Sequence, residues 1–248
     1  MNILLSLRQR IGAVIASVLA ALFFCGFGAF FAFVLAPRQA IEAQRISNLP
    51  QMDANYVASA PAGEDILVTG TLVDNPPLFD DSELVAYHLS EWQVTLPDAN
   101  SNDDTPEGDW NTVERVSPDL TLEVGGQRVQ VLSASDVSFG GDLHEEIVYG
   151  EGLETATYNG EQLPEGSLRY RGFYNGDLTT VLGKKAASGG IVPEKLYAGD
   201  RVAFEQSEQN AAKGMLIGGL IFMACALLVL VGGILSAIFG RRRRRGFA

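Results

Sequence analysis

The chain has 248 residues, of which 18 are basic and 30 acidic, for a formal net charge of −12. The segment Ile46–Asn210 holds 8 of the basic and 29 of the acidic residues, a net of −21, and such a surface repels nucleic acid and an anionic membrane. Cys25 and Cys225 lie outside that segment, which excludes from it a disulfide, a cysteine zinc site and a thiol nucleophile.

In chain order, residues 1–10 carry Arg8 and Arg10 and precede an uncharged run, Ile11–Ala36. A membrane-spanning helix needs about 20 apolar residues, and this run exceeds that. It also exceeds the roughly 7–15 residues of a signal-peptide core. Val34-Leu35-Ala36 resembles a cleavage site, but Pro37 follows and restrains the peptide a peptidase would need extended. An uncleaved anchor is expected. Residues 37–63 read as a stem and linker: Ala40, Ile41, Ala43 and Ile46 continue a helical period to about Leu49, and Pro50 opens a polar stretch to Gly63.

Residues 64–210 read as a β-domain. Ile66–Val73 is rich in β-branched residues and meets a turn at Asp74-Asn75-Pro76-Pro77. Leu84–Ser90 and Trp92–Leu96 form a second run, and Trp110–Val116 alternates. Leu120–Val124 and Gln127–Leu132 flank Gly125-Gly126, a hairpin signal. Ser167–Phe173 and Asp177–Leu182 flank Tyr174-Asn175-Gly176, where the Asn-Gly pair supplies the positive φ of a tight turn. Arg201–Glu205 reads as the last strand. Many short strands with close turns predict a mainly β fold, an antiparallel sandwich or barrel-like domain between two transmembrane helices.

The second uncharged run, Gly214–Gly240, precedes the basic tail 241–248 with its five arginines, Arg241–Arg245. Positive charge marks the cytoplasmic end of a span. Arg38 and Arg45 balance Arg8 and Arg10 around the first run, so the second run decides. Both termini are expected in the cytoplasm and the β-domain outside it. Gly214 and Gly218 stand at the spacing that lets membrane helices approach. Cys25 lies 14 residues beyond Ile11 and Cys225 lies 14 before Phe239, which places them at similar depth in an antiparallel pair.

These features resemble the GIDE, or beside-a-membrane (BAM), family, which places a β-rich domain between two transmembrane helices. The resemblance rests on Ile66–Val73 with Gly70, on Leu84–Tyr87, on Trp92 and Trp110, on Leu122–Val131, and on the R-x-R-G-x-x-x-G-D-x-x-x-V-L-G segment Arg169–Gly183. It implies a β-domain beside the membrane. The family's ubiquitin ligases carry a zinc-binding RING domain after the second helix, where this sequence has only Arg241–Ala248, so ligase activity is not expected.

Chemistry is sparse. Asp98, Asn100, Asn102 and Asp109 match positions 1, 3, 5 and 12 of a calcium loop. Asp103 stands where glycine is needed, Thr105 where an apolar residue is usual, and Pro106 stiffens the loop. A solvated acidic hairpin loop is the reading. His88 and His144 are the two histidines; neither belongs to a zinc-helix motif, and no nucleophile elbow or phosphate loop is present. Tyr158, Tyr170, Phe173 and Tyr174 read as core or as a contact patch. No catalytic, cofactor-binding or metal-ligating residue is assigned, and no cofactor. The expected partners are the lipid bilayer and another protein bound through the outer domain, not nucleic acid. The function read from the sequence is a membrane-held binding or scaffold module; the alternative is a membrane-anchored hydrolase, which a cleft joining His88 or His144 to a serine and a carboxylate would favour.

Overall fold

A computed structural model of the chain describes residues 2–50, 52–97 and 105–239. The calcium-loop positions Asp98, Asn100, Asn102 and Asp103 and the arginines Arg241–Arg245 lie outside the described residues. The chain divides into two compact units, Leu49–Phe204, and Met1–Asn48 with Glu205–Ala248.

The second of these is helical. Helix α1 (Asn2–Phe30) passes through a π-helical turn (Phe31–Leu35) into α2 (Ala36–Asn48), and α4 (Arg201–Phe239) supplies the other helix. Two segments, Val14–Asn48 and Arg201–Ser236, are long and apolar enough to cross a membrane. The stem therefore continues the first helix through Pro37 rather than breaking from it. Proline lacks the N–H that would pair four residues back. The wider π pattern, with the Ala36 N–H donating to the Phe31 carbonyl, ends one residue before Pro37 and reshapes the ladder where proline enters it. Helices α1 and α4 pack at glycines. A Cβ on Gly28 would fall 2.6 Å from the Gly219 carbonyl oxygen, and one on Gly219 would fall 2.7 Å from the Ala32 nitrogen. Gly214 and Gly218 have open space instead, so close approach uses Gly219 and not the spacing singled out in the sequence.

Among the described residues the first unit holds twelve strands: β1 (Asp65–Leu72), β2 (Leu84–Thr95), β3 (Glu107–Val116), β4 (Leu120–Val124), β5 (Gln127–Val131), β6 (Ser138–Gly141), β7 (His144–Val148), β8 (Thr155–Tyr158), β9 (Glu161–Pro164), β10 (Leu168–Tyr174), β11 (Leu178–Lys185) and β12 (Ile191–Ala198). Five of them close on themselves in the order β1, β4, β5, β12, β11 and back to β1. Among these five, the third and fifth in the chain, β5 and β12, are parallel and every other pair is antiparallel. That connection order is the one found in the OB barrel. Strand β6 extends the sheet beside the far half of β12. The core is made by period-two alternation: Leu120, Leu122 and Val124 of β4 and Val129 and Val131 of β5 point inward against Ile66, Val68 and Phe173. Each fully buried apolar side chain contributes about 1.5–3 kcal/mol.

A second antiparallel sheet, in the order β3, β2, β10, β7, is built wholly from insertions in the barrel: β2 and β3 between its first two strands, β7 and β10 between its third and fourth. The runs Leu84–Ser90 and Trp92–Leu96 are one strand, with a register shift at Leu89/Ser90 against β3. Gly125 and Gly126, at φ 58° and 81°, make the expected tight turn between β4 and β5. The Asn175-Gly176 turn does something else. Gly176 takes positive φ, but β10 belongs to the second sheet and β11 to the barrel, so the turn is a corner between sheets. Arg201–Glu205 is not a strand. Asp200 accepts the Ala203 N–H (2.8 Å) and so caps α4, and the cap overrides the alternation of Val202 and Phe204. The linker also contains a short helix, α3 (Ala54–Ser59), capped by Asp53.

Candidate binding face of the second sheet

Cross-strand register puts one row of side chains on one face of the second sheet. Arg115 of β3 stands opposite His88 of β2; His88 is opposite Arg171 of β10; Arg171 is opposite Glu145 of β7. Directly opposed residues share a face. Arg171 Nε lies 3.8 Å from Glu145 Oε2, while Arg115 makes no ion pair among the described residues. His88 Nε2 lies 3.0 Å from Thr112 Oγ1 and 3.4 Å from Ser90 Oγ. Burial, and then the charges of Arg115, Arg169 and Arg171, lower the His88 pKa from its ordinary value of 6.5. The histidine is therefore kept neutral beside three guanidinium groups.

Farther along the same strands, Trp92 and Trp110 are directly opposed, with ring centroids 4.9 Å apart. Tyr158, on the β8–β9 hairpin, closes over both at 5.6 and 5.4 Å. Arg169 stacks on them: its Cζ lies 4.4 Å from the Trp110 ring centre, and Nη1 donates to the Tyr158 hydroxyl at 3.0 Å. Trp92 Nε1, Trp110 Nε1 and Arg169 Nε are buried and have no acceptor. Each such donor costs about 1–3 kcal/mol while it stays unpaired. The face thus offers the cations Arg115 and Arg171 in a domain otherwise rich in carboxylates.

The other histidine sits in a different cluster. His144 Nε2 lies 2.9 Å from Asp177 Oδ1, and the imidazole stacks on Tyr174 at 3.9 Å. The Tyr174 hydroxyl donates to Glu146 (2.7 Å), which with burial pushes its pKa up to about 12. Ser82, the serine of this cluster, donates to Glu146 (2.9 Å) rather than to His144. A histidine, an acid and a serine therefore meet without the serine-to-imidazole bond that nucleophilic catalysis requires. Among the described residues no group of three histidine, cysteine, aspartate or glutamate side chains is placed to hold a metal ion.

Sequence reasoning singled out Trp92, Trp110, His88 and Tyr158 one by one. It missed Arg115, Arg169 and Arg171 as members of one surface. The signal available was the alternation of β10, in which Arg169 and Arg171 fall on one face. Of the aromatic candidates, Phe173 is fully buried in the barrel core, and Tyr170 packs with Tyr87 and Phe79 away from the arginines. No protein-family model, no curated protein and no solved structure matches this chain.

Proposed function

We propose that the β-domain is a binding module held beside a membrane by the two apolar helices, and that the β3–β2–β10 face takes carboxylates of a partner protein. The observation that carries this reading is the in-register row Arg115, His88, Arg171. Arginine presents a planar fork that matches a carboxylate with two parallel bonds. The domain's overall negative charge acts at a distance and is screened beyond about 10 Å at 0.1 M salt, so local pairing decides. The test is a crosslinking pull-down of the full chain from its own membrane, beside Arg115→Gln/Arg171→Gln. A partner captured by the parent chain, weakened by salt and lost in the double variant supports the reading. A partner set unchanged in the double variant overturns it.

We further propose that the chain is a relative of the GIDE family, with the lipid bilayer as its standing partner and both ends of the sequence in the cytoplasm. Support for the family reading is that the glycines of the matching segments have packing roles: a Cβ on Gly70, Gly172 or Gly183 would strike the carbonyls of Glu123, Ala86 or Val192. Support for the orientation is the arginine run that follows the second apolar segment. Reporter fusions at the two ends should be active on one side of the membrane, and a fusion in the β2–β3 loop on the other. Ends on opposite sides would refute the two-span topology.

A further inference from the structure

Strand β1 outruns its neighbour. It pairs with β11 from Asp65 to Thr71, but with β4 only at Thr71 and Leu72. The β4 strand then ends in the Gly125-Gly126 turn, so β1 continues past the hairpin tip with one edge open. Backbone groups alternate sides along a strand. Thr71 faces β4, so Thr69 and Leu67 face the same way, toward the opening. The Leu67 N–H confirms the direction: it donates to Met52 Sδ at 3.3 Å, not to a strand. A thioether is a weak acceptor, and here it stands where the carbonyl of a neighbouring strand would stand.

A cavity of about 680 Å³ opens at this edge, within the range of binding pockets. Leu67, Thr69 and Val124 line it on the barrel side, and Met52, Asp53, Asp200, Arg201 and Val202 on the other. Both carboxylates are helix caps, each using one oxygen on a backbone N–H. The guanidinium of Arg201 is directed at the Leu49 carbonyl, 2.6 Å away. The wall is thus mostly apolar, with two acids against one committed cation.

We infer that this open β1 edge is a peptide-binding slot, which takes an extended, apolar segment carrying a basic side chain as an added strand. Main-chain bonds to Leu67 and Thr69 supply affinity, as in other strand additions. Alternate apolar side chains enter the cavity beside Val124 and Val202, and the basic group meets Asp53 and Asp200. The incoming carbonyl takes the Leu67 N–H and displaces the Met52 sulfur. Backbone reach is sufficient: Asp65 to Thr69 covers about 13 Å at a rise of ~3.3 Å per residue.

The experiment uses the full chain in detergent micelles, ¹³C-labelled at its methionine methyls. The probe is the peptide Ac-Val-Thr-Val-Lys-Val-NH2. Its binding is expected to shift the Met52 resonance, assigned by Met52→Leu, and to leave those of Met215 and Met223 in place. Met52→Leu, which strips the Leu67 N–H of its stand-in acceptor, should bind the probe roughly fivefold more tightly. Val202→Trp, built on an exposed position of the wall, should abolish binding with the melting temperature unchanged. The same peptide with N-methylated valines, or with lysine replaced by glutamate, should bind at least tenfold more weakly. Equal binding of the N-methylated peptide, or no shift of Met52 at millimolar probe, would overturn the slot. Equal binding of the glutamate peptide would overturn its basic specificity. The site shares no residue with the arginine row, so its failure and that of the carboxylate face are read separately.

Discussion

Gly108 of β3 lies directly beneath the six-membered ring of Trp92 on β2: a Cβ added to Gly108 would fall 2.0, 2.4 and 2.6 Å from ring atoms Cζ2, Cε2 and Cη2. Trp92 is only 2% exposed and is held on its other sides by Trp110, Ala156 and Leu163. The indole can sit flat on the sheet because residue 108 has no side chain. The aromatic end of the candidate binding face therefore depends on one hydrogen atom in β3.

Gly108→Ala should accordingly destabilise the domain by about 1–3 kcal/mol, the usual cost of overpacking. It should also shift Trp92 fluorescence, because the indole must leave its place. Thermal melting of the full chain with tryptophan emission as the signal measures both. Adding Trp92→Phe to Gly108→Ala should recover part of the loss, because the smaller ring no longer overlies the new methyl. A single variant that melts with the parent would show that the contact is slack.

The stability of the domain should depend on His88 in one narrow pH window. Its pKa in the folded chain is below the 6.5 of the unfolded chain. Between those two values the unfolded state binds more protons, so stability falls as pH drops. Above about 6.5 the contribution is fully present, and below the folded pKa it is lost. His88→Gln keeps a polar partner for Thr112 but cannot titrate. The variant should lose part of the decline in melting temperature that the parent shows as pH falls below about 6.5, and above that pH the two curves should run parallel. Identical slopes on both sides would remove the arginines and burial as the cause of the shift.

The strands that could be read from the sequence were those whose signal is local. Gly125-Gly126 announces its hairpin, because only residues tolerant of positive φ fit a two-residue turn. The motif glycines Gly70, Gly172 and Gly183 were visible, but not their reason, which is the approach of a neighbouring backbone. Strand β12 was hidden by Pro193 and by Glu194-Lys195, which break its apolar pattern; its partners supply what its sequence lacks. The corner at Asn175-Gly176 looked like a hairpin because turn chemistry is indifferent to which sheet the next strand joins. That corner is fixed by distant groups: the Asn175 side chain donates to the Asn75 carbonyl at 2.7 Å, and the Asn75 side chain accepts the Thr121 N–H at 2.7 Å. The arginine row was illegible for the same reason. Register, not spacing, brings Arg115, His88 and Arg171 together.

The helical unit allows a test of register inside the apolar segments. Gly28 meets Gly219, and Ser17 meets a Cβ built on Gly233, so the two helices run antiparallel along one seam. Seven residues, about two turns, toward the N-terminus from Gly28 is Ala21; seven toward the C-terminus from Gly219 is Ala226. Both alanines are buried, at 8% and 3% exposure, as the seam requires. In that register Cys25 stands level with Phe222, three residues or about 4.5 Å short of Cys225, and both cysteines are exposed and unpaired. They are therefore not seam partners. In a background of Cys25→Ser and Cys225→Ser, the pair Ala21→Cys and Ala226→Cys should form an intramolecular disulfide on oxidation in membranes. The native cysteines should not join within one chain under the same conditions. Gly219→Leu should abolish the engineered crosslink by forcing the helices apart, whereas Gly214→Leu and Gly218→Leu, at positions open in this packing, should leave it intact. Loss of the crosslink in all three variants would mean that the glycine spacing singled out in the sequence, and not Gly219 alone, holds the helices together.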